Sequence, residues 1–270
     1  MVEIITKYKI GTRRFGLINW VGAWTFYKKE VLRFLIVWAQ TIFSPIITSL
    51  LFLLVLSLAI GEGRENLLGV PFISFLAPGL IAMQVIQQAF SHSASSFMIK
   101  KIDGSIVDVL YAPLSSGEVT LAVILSAVTR SVIIAIISII TFYFIVDIKV
   151  ENYFTLIIFT FLSSFILGAT GMIAGLWAEK FDHMATVTNF VIIPLSFLSG
   201  TFYTIDRLPN FLQVISKANP FFYMIDGFRF SFIGQSDSSI SVGIIYLSIL
   251  SVVFWFISYI LFKKGYKIRS

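Results

Sequence analysis

The chain has 270 residues, 57% of them hydrophobic and 13% charged, where soluble domains average roughly 45–50% and 25%. A water-soluble globule has no interior large enough for that apolar surface, which excludes a soluble catalytic domain. With no cysteine, disulfides, thiolate nucleophiles and cysteine-ligated metals are excluded as well, and two histidines, His92 and His183, give no reason to expect a metal centre. The net charge of +6 follows the loops, which points to membrane orientation and not to nucleic acid.

The first 33 residues are polar, basic and interrupted, unlike a signal peptide. Toward their end and into residue 34, Trp20, Ala23, Trp24, Tyr27, Val31 and Phe34 recur at helical spacing, while Lys28, Lys29 and Arg33 fall largely elsewhere on the wheel. That predicts an amphipathic helix lying in the membrane interface. A simple extension of the first span is the alternative.

Apolar runs follow at 34–60, 70–98, 119–146, 153–178, 186–203 and 240–262. A helix of about 20 residues covers a hydrocarbon core of about 30 Å, so six spans are predicted and the fold class is an all-α integral membrane protein. Alternating the loops between sides puts 14 Lys and Arg with both termini and the second and fourth loops, five on the opposite face and Arg130 inside a span. The positive-inside rule then predicts a multi-pass inner-membrane protein with both termini in the cytoplasm.

Gln40, Ser44 and Thr48 on the first span, and Gln84, Gln88, Ser91 and Ser95 on the second, each form a polar stripe at helical spacing. Such stripes either line a hydrated pathway or bond neighbouring helices. Arg130 is the charged residue well inside a span, where an unpaired charge costs about 2.5 kcal/mol or more. Its expected partners are Gln or Ser side chains, carbonyls or water, and it acts either as a clamp between helices or as a contact for an anionic substrate. Gly168, Gly171 and Gly175 on the fourth span favour close helix packing. Pro194, Ser196, Ser199 and Gly200 loosen the fifth.

The loop at 99–118 mixes charges with Ile106, Val107, Val109, Leu110 and Tyr111. Asp103 or Ser105 is placed to cap a short helix there, and Pro113 to end it. Such a helix docks into a partner's groove or packs on the chain's own helix ends. At 208–233 two apolar pieces, each too short to cross a bilayer, are broken around Lys217, Asn219 and Pro220. A helical hairpin turning at Asn219 and Pro220 and entering the membrane without crossing is predicted, with a crossing pair and eight spans as the alternative. No GxxxxGK[ST] phosphate loop occurs, so this chain is not expected to hydrolyse ATP.

Four stretches in order, FLAPGLIAMQVI from Phe75, IVDVLYAPLSSGE from Ile106, FDHMATVTNFVIIPLSFLSGTFYTIDRLP ending at Pro209 and ANPFFYMIDGFRFSFIG ending at Gly234, resemble the transmembrane permeases of ABC type-2 transporters. The resemblance covers nearly the whole chain. It implies a type V exporter-like organisation: an N-terminal elbow helix within 1–33, a six-helix domain over 34–262 with a coupling loop at 99–118 and a re-entrant segment at 208–233, and a basic tail at 263–270. It also implies that Ile106, Asp108, Leu110, Ala112, Pro113 and Leu114 meet a separate ABC ATP-binding subunit, present in two copies below a permease homodimer. ATP and magnesium are then expected in that partner, with no cofactor bound by this chain.

The expected function is export of an amphipathic drug-like or lipid-type substrate, with a lipid-linked polysaccharide or glycolipid as the alternative cargo. An intramembrane serine protease is disfavoured because position 197 is Phe and His183 is predicted on the opposite face from Ser199. A channel is disfavoured because no ring-forming charged series lines a span.

Overall fold

The computed structural model describes residues 16, 18–60, 67–146 and 148–268, so most of the basic N-terminal stretch and the last two residues of the basic tail lie outside the described residues. Among those described, every regular element is helical. Helix α1 (Trp20–Ile36) is capped by Asn19, whose Oδ1 accepts the Gly22 N–H at 3.0 Å. Its buried face is Phe26, Glu30 and Phe34, four residues apart, while Trp20 and Trp24 are exposed.

The first span starts later than its sequence suggests. Residues 34–36 complete α1, the chain leaves helical geometry at Val37, and a π turn (Ala39–Phe43) leads into α2 (Ser44–Ile60). The long elements that follow are α3 (Phe72–Ile102), α5 (Ser116–Val146) and α6 (Tyr153–Trp177), with the short α4 (Ile106–Tyr111) between α3 and α5. Next come α7 (Phe181–Val187), a π turn (Thr188–Ile192) and α8 (Ile193–Phe197), then α9 (Asn210–Ala218), α10 (Pro220–Ile233) and α11 (Ile240–Lys263).

Among the described residues five helices are long and apolar enough to cross a membrane: Ala39–Ala59, Phe72–Ile102, Ser116–Val146, Tyr153–Trp177 and Ile240–Lys263. The run expected at 186–203 differs. It is assembled from consecutive pieces of seven, five and five residues and stops at Phe197. Ser196 and Ser199 turn their hydroxyls onto the carbonyls of Ile192 and Leu195, and Gly200, at φ +75°, takes the left-handed turn that ends the helix.

Helix α3 is the hub. Its most apolar stretch is 78% buried, whereas that of α11 is 17% buried, so α3 sits inside the bundle and α11 at its edge. Phe75, Leu76, Ile81, Ile86 and Phe90 pack there against α6 and α10. Gly171 and Gly175 let α6 approach: a Cβ on Gly171 would fall onto the Phe90 carbonyl, and one on Gly175 would lie 2.6 Å from the Ala94 oxygen. The small-residue spacing therefore serves a contact within the chain.

Candidate functional site

All seven residues of the two polar stripes meet at one cavity of about 680 Å³. Gln40, Ser44 and Thr48 supply one wall from α2 and its π turn, and Gln84, Gln88, Ser91 and Ser95 the other from α3. Arg130 of α5 and Arg33 of α1 complete it. Next in sequence to its lining residues, Ile36, Trp38 and Ile47 carry exposed apolar side chains.

Arg130 joins three helices. Its Nη2 donates to Gln88 Oε1 and, at 3.3 Å, to the carbonyl of Thr41. In an α-helix the Thr41 carbonyl would accept the N–H of residue 45, but that residue is Pro45, which has none. The guanidinium supplies a donor to a carbonyl whose α-helical partner is missing. This is the mixed side-chain and carbonyl partnership expected when no acid lies within reach.

Beside the cavity lies a buried ionic cluster that hydropathy does not reveal. Glu30 Oε1 is 2.5 Å from Lys100 Nζ, and Ser96 Oγ donates to Glu30 Oε2 at 2.7 Å. Arg33 spans cluster and cavity, with Nε 3.3 Å from Glu30 Oε2, Nη1 3.4 Å from Ser95 Oγ and Nη2 3.0 Å from the His92 carbonyl. Burial raises the Glu30 carboxyl, and Lys100 followed by Arg33 outweighs this, leaving it below the ordinary carboxylate range.

The loop between α3 and α5 carries α4. Asp103 Oδ1 accepts the Ser105 N–H at 2.9 Å, and the hydrogen bonds from Ser105 hold the Asp103 carboxyl below its ordinary range. Ile106 and Val109 are buried with Phe26, Phe97 and Val119, whereas Val107, Leu110 and Tyr111 are exposed, Tyr111 to 86%. The apolar face expected on Ile106, Val109 and Leu110 is thus divided: two side chains pack inward and Leu110 faces out with Asp108. Helix α4 ends at Tyr111, and Ala112, Pro113 and Leu114 form a bent continuation in which the Leu114 N–H donates to the Ala112 carbonyl at 2.7 Å.

That continuation is fastened. Asn19 Nδ2 donates to the Pro113 carbonyl at 3.0 Å, and the Asn19 N–H donates to Glu118 Oε1 at 2.6 Å. Glu118 Oε2 also accepts the Ser115 N–H, and Ser115 Oγ accepts the Glu118 N–H, a reciprocal capping box at the start of α5. At the same end of the molecule Glu179 and Lys267 pair at 2.8 Å, each stabilising the other's charged form, so the carboxyl is lowered and the ammonium raised.

Helices α9 and α10 meet at Asn219 and Pro220, where the predicted break lies, and Pro220 and Phe221 line a cavity with Phe90 from the middle of α3. Asn219 Oδ1 accepts the Phe221 N–H at 3.1 Å, and its Nδ2 reaches the Leu195 carbonyl and Ser199 Oγ. Ser199 and His183 lie on different stretches, and Ser199 bonds to backbone, so the two do not form a nucleophile and base. Among the described residues no three His, Cys, Asp or Glu side chains gather where a metal might bind.

The sequence profile described as ABC-2 type transporter matches residues 22–233, well over half of the chain. The chain belongs to the ABC-2 type transporter family. It is similar to the inner membrane transport permease YadH of Escherichia coli K12, 32% identical over 253 residues that cover 94% of this chain and 99% of that protein. It is also similar to nodulation protein J of Rhizobium leguminosarum bv. viciae, 24% identical across 94% of this chain and 98% of the other. The corresponding protein of Neorhizobium galegae is 23% identical across 92% and 94%.

This ABC-2 permease is accordingly a multi-pass inner-membrane subunit of an ABC exporter and not an enzyme; ATP hydrolysis belongs to a separate ATP-binding subunit. Sequence reasoning did not single out Arg33, Gln87 or Glu30 for the permease's polar cavity and its flank. The four-residue spacing of Phe26, Glu30 and Phe34 was the available signal.

Proposed function

We propose that this permease takes an amphipathic, drug-like or lipid-type substrate from the cytoplasmic side or inner leaflet and moves it outward, powered by two ATP-binding subunits beneath a permease homodimer. The observation that carries this reading is the convergence of seven predicted polar side chains on one cavity bordered by exposed apolar surface. A polar wall beside an apolar flank suits a molecule with a polar head and an apolar body. The excess of Lys and Arg in the loops on one side supports placing both termini in the cytoplasm. The 17-residue run from α7 to α8, about 25 Å long at 1.5 Å per residue, serves as the sixth span, and α9 and α10 form a re-entrant hairpin.

In this mechanism the ATP-binding subunit grips the exposed Asp108, Leu110 and Tyr111 with the 112–114 continuation. Closure of that partner moves α4. The bonds from Asn19 to Pro113 and Glu118 pass the motion to the start of α1, whose other end carries Glu30 and Arg33 at the cavity. The test is co-reconstitution with the partner ATPase in proteoliposomes containing a fluorescent amphiphile. Movement that requires ATP and both subunits is expected. Movement by the permease alone at the same rate would overturn the reading.

A further inference from the structure

We propose that the cavity between α1, α2, α3 and α5 binds the phosphate-type anionic headgroup of an amphiphile, held between Arg33 and Arg130. This names the substrate class for the exporter reading and rests on that reading for transport, though not for binding.

The charge balance is the first argument. Three cations, Arg33, Lys100 and Arg130, stand in or beside the cavity, and Glu30 is the acid bonded among them. Glu30 is already engaged by Lys100 and Ser96. One carboxylate offsets one cation, and the two guanidiniums face a cavity with no Asp or Glu in its lining. An excess of buried positive charge is unfavourable unless a counter-charge arrives.

Unused hydrogen-bonding capacity is the second. Arg130 is only 7% exposed, and among the described residues its enclosed Nε has no partner; Gln87, another lining residue, likewise has an enclosed Nε2 without one, so a side-chain rotation brings either donor to a ligand. A tetrahedral oxyanion accepts from several such donors at once, and guanidinium forks match its oxygens bidentately. A neutral acceptor would use these donors without balancing the charge, and a cationic group would do neither.

The surroundings supply the third. Ser95 and Gln84 are 11 positions apart on α3, so the polar wall runs about 16 Å along the helix at 1.5 Å per residue. Phe34 and Pro45 enter the lining, and Ile36, Trp38, Ile47 and Leu51 are exposed nearby. A headgroup between the arginines leaves its acyl chains on an apolar surface, where a free anion gains nothing from that flank.

The test titrates the purified permease in phosphatidylcholine nanodiscs with dioctanoyl phosphatidic acid, dioctanoyl phosphatidylcholine or inorganic phosphate, by calorimetry. Phosphatidic acid should bind about tenfold or more tighter than either comparison, and Arg130→Gln and Arg33→Gln should each weaken it about tenfold. Arg130→Lys, which keeps the charge without the fork, should lose less. Equal affinity for the two lipids, or unchanged binding in both Gln variants, overturns the proposal. Phosphate alone binding as tightly as the lipid would overturn the amphiphile and identify a free-anion site. If Arg130→Gln does not fold, Arg33→Gln, at the cavity's edge, decides. Lipid binding without ATP-driven movement would defeat only the exporter reading, and ATP-driven movement without lipid binding only this one.

Discussion

Glu30 Oε1 sits 2.5 Å from Lys100 Nζ, tying the first helix to the basic end of α3 across 70 residues of sequence. Both side chains are buried, at 1% and 7% exposure, and Lys100 also lies over the rings of Phe26 and Phe97. Removing one member of such a pair leaves a buried charge uncompensated, which costs about 3–5 kcal/mol, whereas replacing both with apolar residues of similar size is often neutral. Glu30→Gln should therefore lower the melting temperature sharply, and the double variant Glu30→Met with Lys100→Met should recover most of it. A single variant that melts with the unaltered protein would show that the pair bears no weight.

The same pair sets an acid limit. Because the folded Glu30 carboxyl is held below its ordinary value, its contribution is complete above the unfolded value of about 4.3 and is lost as pH falls through the lowered folded value. Melting temperature should hold steady from neutral pH to about pH 5 as far as this group is concerned and fall below that. Glu30→Gln, which has no such proton to take up, should show a shallower acid decline in the same scan.

Gly171 and Gly117 make a controlled comparison. At Gly171 an added methyl meets the Phe90 backbone, which cannot swing aside, so Gly171→Ala should cost about 1–3 kcal/mol by forcing α6 from α3. At Gly117, in the first turn of α5, the nearest atom is 4.0 Å away on the Tyr259 ring. Gly117→Ala should be neutral or stabilising by up to about 1 kcal/mol through helix propensity. Detergent-solubilised melting curves separate the two.

Each polar stripe was legible from its spacing, Gln40, Ser44 and Thr48 as one and Gln84, Gln88, Ser91 and Ser95 as the other, but the π turn at Ala39–Phe43 and the facing of the two across one cavity were not. The break at Asn219 and Pro220 was legible from proline's missing donor. Glu30 was not, because a charge among Lys28, Lys29 and Arg33 reads as part of a solvated face until its partner 70 residues away is known. Arg33 was hidden for the same reason. The fifth run was read too far along the chain, because hydropathy sets no helix end at Phe197 even where Pro194, Ser196, Ser199 and Gly200 mark that stretch as loosened, and the helix starts earlier, at Phe181. The Ser115 and Glu118 capping box, by contrast, was a readable signal for the start of α5.

The divided face of α4 separates folding from coupling. Ile106 and Val109 are 5% exposed, so Ile106→Ala should cost about 2–5 kcal/mol and reduce the amount of folded permease. Leu110 is 44% exposed and Asp108 lies beside it, so Leu110→Ala and Asp108→Ala should melt within about 0.5 kcal/mol of the unaltered protein. In proteoliposomes with the ATP-binding subunit, both should retain ATP hydrolysis while losing most ATP-driven export. Export unchanged in both would favour α4 as a packing element only.

Arg229 tests how α10 is held. It is 1% exposed, its Nη2 donates to the Gly200 carbonyl at 2.7 Å and to that of Thr201 at 3.4 Å, and its guanidinium lies 3.8 Å over the Phe75 ring. One turn earlier, Asp226 accepts the backbone N–H groups of Asp237 and Ser238 and the Ser238 hydroxyl, at 2.9, 3.0 and 2.6 Å. These two residues fasten α10 in opposite directions, to the turn after α8 and to the turn before α11. Arg229→Lys keeps the charge but loses the planar fork and its stacking, a loss of about 1–3 kcal/mol. Arg229→Met removes the donor from both carbonyls and the counter-charge from Asp226, and should cost about 3–5 kcal/mol. The expected order of melting temperatures is unaltered, Arg229→Lys, then Arg229→Met. Equal losses in the two variants would mean that the guanidinium's shape, and not its charge, sets the hold on the Gly200 turn.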